Sequence, residues 1–182
     1  WHDGALWLAT SRGIARMATG AEGRGQAEYL PWTGLEGHAL LSTDAGLLAG
    51  VREGLLVLDP GATTPRTLMR NEQDGVLSLL PSTDGTRVYA VSSLSMLLLH
   101  RVDSRWQVQA TLPLQGVNVS SMVETAPGEL WLGDTRGPPQ RWRIDAAGAV
   151  TTRQPFADAD GLAVDTLAGT QDFATMLPAL LS

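Results

Sequence analysis

The chain has 182 residues, a net charge of −6, 43% hydrophobic content, and no cysteine or lysine. That hydrophobic fraction excludes a disordered segment, the lack of any apolar run near ~18 residues excludes a membrane-spanning helix, and the negative balance leaves no basic footprint for nucleic acid or anionic lipid. Without thiols there is no disulfide and no thiolate chemistry, and arginine supplies all 13 formal positive charges, the coding bias expected of a GC-rich bacterial genome.

From the amino terminus one pattern recurs. Asp3-Gly4-Ala5-Leu6-Trp7-Leu8-Ala9-Thr10-Ser11-Arg12-Gly13-Ile14 is followed by Asp44-Ala45-Gly46-Leu47-Leu48-Ala49-Gly50-Val51-Arg52-Glu53-Gly54-Leu55. A looser copy, Asp84-Gly85-Thr86-Arg87-Val88-Tyr89-Ala90-Val91, precedes Pro127-Gly128-Glu129-Leu130-Trp131-Leu132-Gly133-Asp134-Thr135-Arg136-Gly137. With Trp7, Leu48, Tyr89 and Trp131 in register, the spacings are 41, 41 and 42 residues. Repeats of ~40–50 residues rich in short strands predict propeller blades. A helical solenoid shares the period but needs long segments of 3.6 periodicity, and the chain has none. The predicted fold is all-β: a partial β-propeller over residues 1–182, of about four blades of four-stranded antiparallel sheets.

Within each unit, Gly75–Leu80 and Val117–Val123 read as the strand nearest the propeller axis. An Asp-Gly or Pro-Gly turn follows, residues that tolerate or preset tight-turn dihedrals. Ala5–Ala9 and Glu129–Gly133 are apolar on both faces, as a strand sandwiched between neighbouring blades requires. Leu55–Leu58, Met96–Leu99 and Gln140–Ile144 read as third strands, closed by Asp59, Asp103 or Asp145. The more polar Trp106–Ala110 and Val150–Thr152 read as outermost strands. Trp1 stands two residues before the first turn Asp, so the innermost strand of the first blade is expected to be missing. Asp160–Leu167 matches the innermost strand of a further blade, starting at 161–168, and no Trp strand follows at 169–173. The expectation is roughly four blades of a larger ring.

Catalytic signals are thin. His2, His38 and His100 fall in a turn, a loop and a strand end without metal-ligand spacing. There is no Gly-x-Ser-x-Gly elbow, and no Ser-His-Asp set is selected by the sequence. Asp3, Asp44 and Asp84 recur at one blade position, which turn capping explains. Asp158-Ala159-Asp160-Gly161 with Asp165 has Phe156 where a calcium loop needs its first carboxylate, so a blade connector is the better reading. No catalytic residue, metal site or cofactor is expected. The surviving candidate is the turn after the Trp strand, which carries Arg12, Arg52 beside Glu53, and Arg136. Guanidinium groups at equivalent turns suit an anionic ligand or partner, giving bidentate hydrogen bonds to carboxylate or phosphate. Trp7 and Trp131 are expected to pack between blades, whereas Trp32 and Trp106, in outer or connecting segments, are freer to meet a ligand.

Asp3–Arg16 and Gly128–Gly137 resemble the two-component regulator propeller repeat: an Asp-Gly turn, a Trp strand ending Gly-Thr, then a turn closed by Gly-Leu and often an Arg. The first copy keeps Trp7, Thr10, Gly13 and Arg16, with Ala9 for Gly. In the second, Gly50, Gly54 and Leu55 remain but Leu48 replaces Trp. The fourth keeps Trp131, Gly133 and Gly137, with Asp134 for Thr and Pro138 in place of a hydrophobic residue, and the third departs furthest. The resemblance implies the extracytoplasmic, periplasmic sensory part of an inner-membrane signalling protein, such as a hybrid histidine kinase or a propeller-bearing diguanylate cyclase. It implies a small-molecule or protein ligand, contacts with other blades or a second propeller, and a homodimeric parent. An enzyme propeller of lactonase or lyase type and a WD-like interaction platform are the alternatives.

Overall fold

The computed structural model describes residues 1–18, 25–30 and 36–156. Among these residues there are fifteen strands and no helix. The first sheet holds β1 (Ala5–Thr10), β2 (Gly13–Ala18) and β3 (Ala27–Tyr29). The second holds β4 (Gly37–Thr43), β5 (Gly46–Val51), β6 (Gly54–Leu58) and β7 (Arg66–Arg70). The third is β8 (Ser78–Pro81), β9 (Arg87–Val91), β10 (Ser95–Val102) and β11 (Arg105–Pro113), and the fourth is β12 (Val119–Ala126), β13 (Glu129–Asp134), β14 (Gln140–Ile144) and β15 (Val150–Pro155). Each sheet is an antiparallel meander in chain order, the arrangement expected of a blade. The first has three strands among the described residues instead of four, and β4 is an innermost strand that the turn pattern alone did not single out. The further blade expected at 161–168, the loop at 158–165 and Trp32 lie outside the described residues.

The chain divides into two compact units, Trp1–Pro113 and Leu114–Ser182. In the first unit, β5 is buried at every position, β6 and β9 at all but one, and β10 over residues 96–99. Their near-continuous apolar runs follow from having a sheet on both sides. Leu48, Leu55 and Val57 of the second blade meet Val88, Ala90, Leu97 and Leu99 of the third. Ile14 of the first blade meets Ala49 and Val51 of the second, with Trp7, Ala9, Leu40 and Leu56 packed around them. Burying each large aliphatic side chain contributes about 1.5–3 kcal/mol, so these face-to-face layers are the core.

Trp106 overturns its expected freedom. It sits on the outermost strand β11 yet is 1% exposed, packed in the layer between the second and third blades. Its Nε1 donates to Thr43 Oγ1 at 2.9 Å, and its carbonyl accepts from Arg66 at 3.1 Å. The ring is drawn inward because the neighbouring blade offers both an apolar wall and an acceptor for the indole N–H. Trp7, by contrast, is half-buried against the first-to-second layer, with Nε1 donating to the His2 carbonyl at 3.2 Å. In the second unit, Trp142 on β14 is fully buried, whereas Trp131 is half-buried against Phe156 at a centroid distance of 4.7 Å.

Trp106→Ala is expected to lower unfolding free energy by about 3–5 kcal/mol. Trp106→Phe, which keeps most of the apolar contact but leaves Thr43 without its donor, should cost about 1–2 kcal/mol. Urea titration followed by fluorescence of the remaining tryptophans checks both.

Candidate functional site

Two sets of turns differ in what they do. The turns between the first and second strands of the blades carry the recurring Asp. Asp84 caps its own turn, accepting from Ser82 Oγ at 2.6 Å, Thr86 Oγ1 at 2.8 Å and the Thr86 N–H at 2.9 Å. These hydrogen bonds, Ser82 first, lower its pKa from 3.8 to about 2. Asp3 and Gly4 fit their turn through positive φ, 47° and 69°. Asp44 departs from turn capping: both its carboxylate oxygens accept from Arg101 Nη1 of the third blade, at 3.0 and 2.9 Å, and so tie two blades. His2 also differs from expectation, since it is buried and its Nδ1 lies 2.9 Å from Ser42 Oγ of the second blade. Asp3 Oδ2 stands 3.6 Å from His2 Nε2, too far for a hydrogen bond, and its side chain is exposed. His2 and Ser42 are thus an inter-blade clip at the edge of a cleft of about 520 Å³ also lined by Trp1, Asp3, Asp44 and Pro60. His38 is exposed on β4 instead of in a loop, and His100 lies within β10. Among the described residues no three His, Asp or Glu side chains come together as a metal site.

The turns between the second and third strands carry the candidate arginines, and in each blade a separate device holds the turn. Thr10 Oγ1 accepts from the Arg12 N–H at 3.1 Å and donates to the Gly13 carbonyl at 2.8 Å. In the second blade Val51 occupies the Thr10 position and has no such oxygen, so the Arg52 N–H donates to the Glu36 carbonyl at 2.8 Å. The third blade has Ser92 there, whose Oγ donates to Asp74 Oδ2 at 2.6 Å, while Asp74 Oδ1 accepts from the N–H groups of Ser93 at 2.8 Å and Leu94 at 3.2 Å. In the fourth, Asp134 Oδ1 accepts from Arg136 at 2.9 Å and Asn118 at 3.1 Å. The Asp that departs from the repeat's Thr therefore does the same work with more acceptor capacity.

Main-chain crossings place the first three of these turns on one rim. A Cβ on Gly37 would stand 2.5 Å from Ile14 Cδ1, one on Gly50 2.6 Å from the Val76 carbonyl, and one on Gly75 would collide with the Arg52 backbone. The segments leading into the second and third blades thus lie directly on the end of the preceding blade's second strand, and at Gly50 and Gly75, where backbone meets backbone, only a residue without a side chain fits. Arg12 is exposed with its guanidinium 4.8 Å from the centre of the exposed Tyr29 ring, a cation–π shelf. Arg52 is exposed and forms no ion pair among the described residues; Glu53 beside it lies 3.7 Å from Arg70. Arg136 is exposed on its own turn in the second unit. Asp74 and Tyr29 belong to this picture and were not singled out from the sequence, because both act across strands far apart in the chain.

No family model matches the chain, and no curated protein matches it. Solved structures do. The extracellular domain of a candidate hybrid two-component system from B. thetaiotaomicron superimposes with a TM-score of 0.64 at 15% identity, over 84% of this chain and 21% of that one. The periplasmic gluconolactonase of Pseudomonas aeruginosa gives 0.56 at 16% identity, over 83% and 53%. The Cps50 (Swd1) β-propeller domain of Myceliophteria thermophila gives 0.61 at 9%, over 85% and 58%. This is a β-propeller fragment. The chain spans about a fifth of the first of these structures and just over half of the other two, and at such identities the likeness is one of fold, shared by an extracellular domain of a two-component system, a gluconolactonase and a Swd1 protein alike.

Because Asp84 titrates below the unfolded value, its capping contributes stability that is complete above about pH 4 and is lost as pH falls toward 2. Carboxyl-detected NMR titration should place the Asp84 midpoint near 2, and Ser82→Ala should raise it toward 3.8; an unchanged midpoint in the variant would contradict the assignment.

Proposed function

We propose that the chain is a non-enzymatic, ligand-binding part of a bacterial membrane-bound signalling protein, placed outside the cytoplasm. The arginine turns are its binding elements. The observation that carries this reading is the separate hydrogen-bond device behind each turn: Thr10, the Glu36 carbonyl and Asp134 fix the main chain of Arg12, Arg52 and Arg136 while the side chains face solvent. A rigid backbone presenting guanidinium groups loses little order when an anion docks, and carboxylates or phosphates are the groups that planar N–H donors match. Loops on a stable sheet scaffold are a common place for such work. Occupancy of the rim would act on the rest of the parent protein by changing how this propeller packs against a second one in a dimer. The likeness to the extracellular domain of a two-component system supports this assignment.

A second reading, a lactonase-type enzyme, is favoured by the likeness to the gluconolactonase, whose TM-score is not far below that of the sensor domain. Thermal melting of the chain with millimolar inorganic phosphate, citrate or gluconate separates the two readings. At least one anion should raise Tm by several degrees, and the Arg12→Ala/Arg52→Ala double variant should lose that rise. No shift with any anion, together with hydrolysis of gluconolactone by the wild-type chain, would replace the binding reading with the enzymatic one.

A further inference from the structure

The third blade breaks the pattern of the turns. At the register position held by Arg12, Glu53 and Arg136 in the other blades, it carries Leu94, 65% exposed. Leu77, just ahead of β8 and bonded by its N–H to the Val91 carbonyl at 2.8 Å, is 47% exposed at the same rim. Single exposed leucines are ordinary; what is unusual is the investment behind this one. Asp74 is 3% exposed, and it directs both oxygens at the turn, binding Ser92 Oγ, the Ser93 N–H and the Leu94 N–H. Burying a carboxylate is costly unless it is fully hydrogen-bonded, and here its bonds go to hold an apolar side chain in water.

Arg52 stands next along the rim. Gly75, two residues before Leu77, lies against the Arg52 backbone, and Val76 N–H donates to the Val51 carbonyl at 3.2 Å. A guanidinium with no ion pair among the described residues and two exposed leucines thus sit on adjacent backbone segments of one rim. Small anions would use the arginine and ignore the leucines. A partner that uses both must bring an apolar side chain and a carboxylate together, and a polypeptide segment does that.

We infer that the rim of the second and third blades docks an acidic-apolar peptide segment of a partner protein, with a bulky apolar residue on Leu77 and Leu94 and a nearby Asp or Glu on Arg52. This rests on the reading of the arginine turns as binding elements and adds the class of ligand. Arginine is enriched at protein interfaces, whose fully buried centres are apolar, and the chain's rigid turn removes most of the ordering cost on its side.

The test is selection of a random peptide display library on the wild-type chain, followed by calorimetry of the winning peptides. Enriched sequences should pair Leu, Ile, Phe or Trp with a close Asp or Glu. Leu94→Ser and Arg52→Ala should each weaken binding about tenfold or more, while Val108→Ser, which removes an exposed apolar residue from the outermost strand β11, should leave it unchanged. Melting temperatures of the variants confirm folding, since all three positions are exposed. Peptides without the paired signature, or full affinity in folded Leu94→Ser, would overturn the inference. A loss confined to Arg52→Ala would overturn it too while leaving the anion-binding reading in place. Leu94-dependent pelleting with phosphatidylglycerol vesicles would assign the leucines to lipid instead.

Discussion

The passage of one blade's entry segment across the end of the preceding blade's second strand is the contact on which the rest depends. Gly50 under Val76 and Gly75 on Arg52 bring main chain against main chain with no room for a Cβ. That closeness lets the β5–β6 layer and the β9–β10 layer pack face to face, and it brings Glu36 and Asp74 within hydrogen-bonding distance of turns they do not belong to. The core, the rim and the exposed arginines are consequences of the same approach.

The opposite turns do a different job. Asp44 with Arg101, His2 with Ser42 and Thr43 with Trp106 are side-chain links between neighbouring blades of the first unit. They anchor what the crossings align. Each is modest alone, since a hydrogen bond contributes about 1 kcal/mol net and the Asp44 carboxylate is largely exposed. Trp106 is the exception, because its link comes with a fully buried indole.

Most of the architecture was legible in the sequence. A 41-residue period and strands apolar on both faces, such as Leu47–Ala49, identify blades because stacked sheets demand them. Turn capping was legible at Asp84, where donor and acceptor sit within two residues. It failed at Asp44, whose partner Arg101 is 57 residues away, and at Trp106, where an outer-strand pattern hid an acceptor on another sheet. The arginine positions could be read from the repeat, but what holds each turn could not. Val51 in place of Thr10 gives no hint that a backbone carbonyl at Glu36 takes over, and Asp74 looks like one more connector Asp until its partners Ser92 and Leu94 are seen.

Asp74 has a consequence for how such a chain could have arisen. The carboxylate lies in the stretch that follows the second blade, whereas the turn it holds lies in the third. Glu36 stands in the same relation to Arg52. The segment that duplicates as a structural sheet is therefore out of step with the segment that must be inherited together for a turn to keep its shape. A recombination event that cuts between residue 74 and the start of the third sheet at residue 78 delivers an intact third blade with its turn clamp left behind on the donor gene.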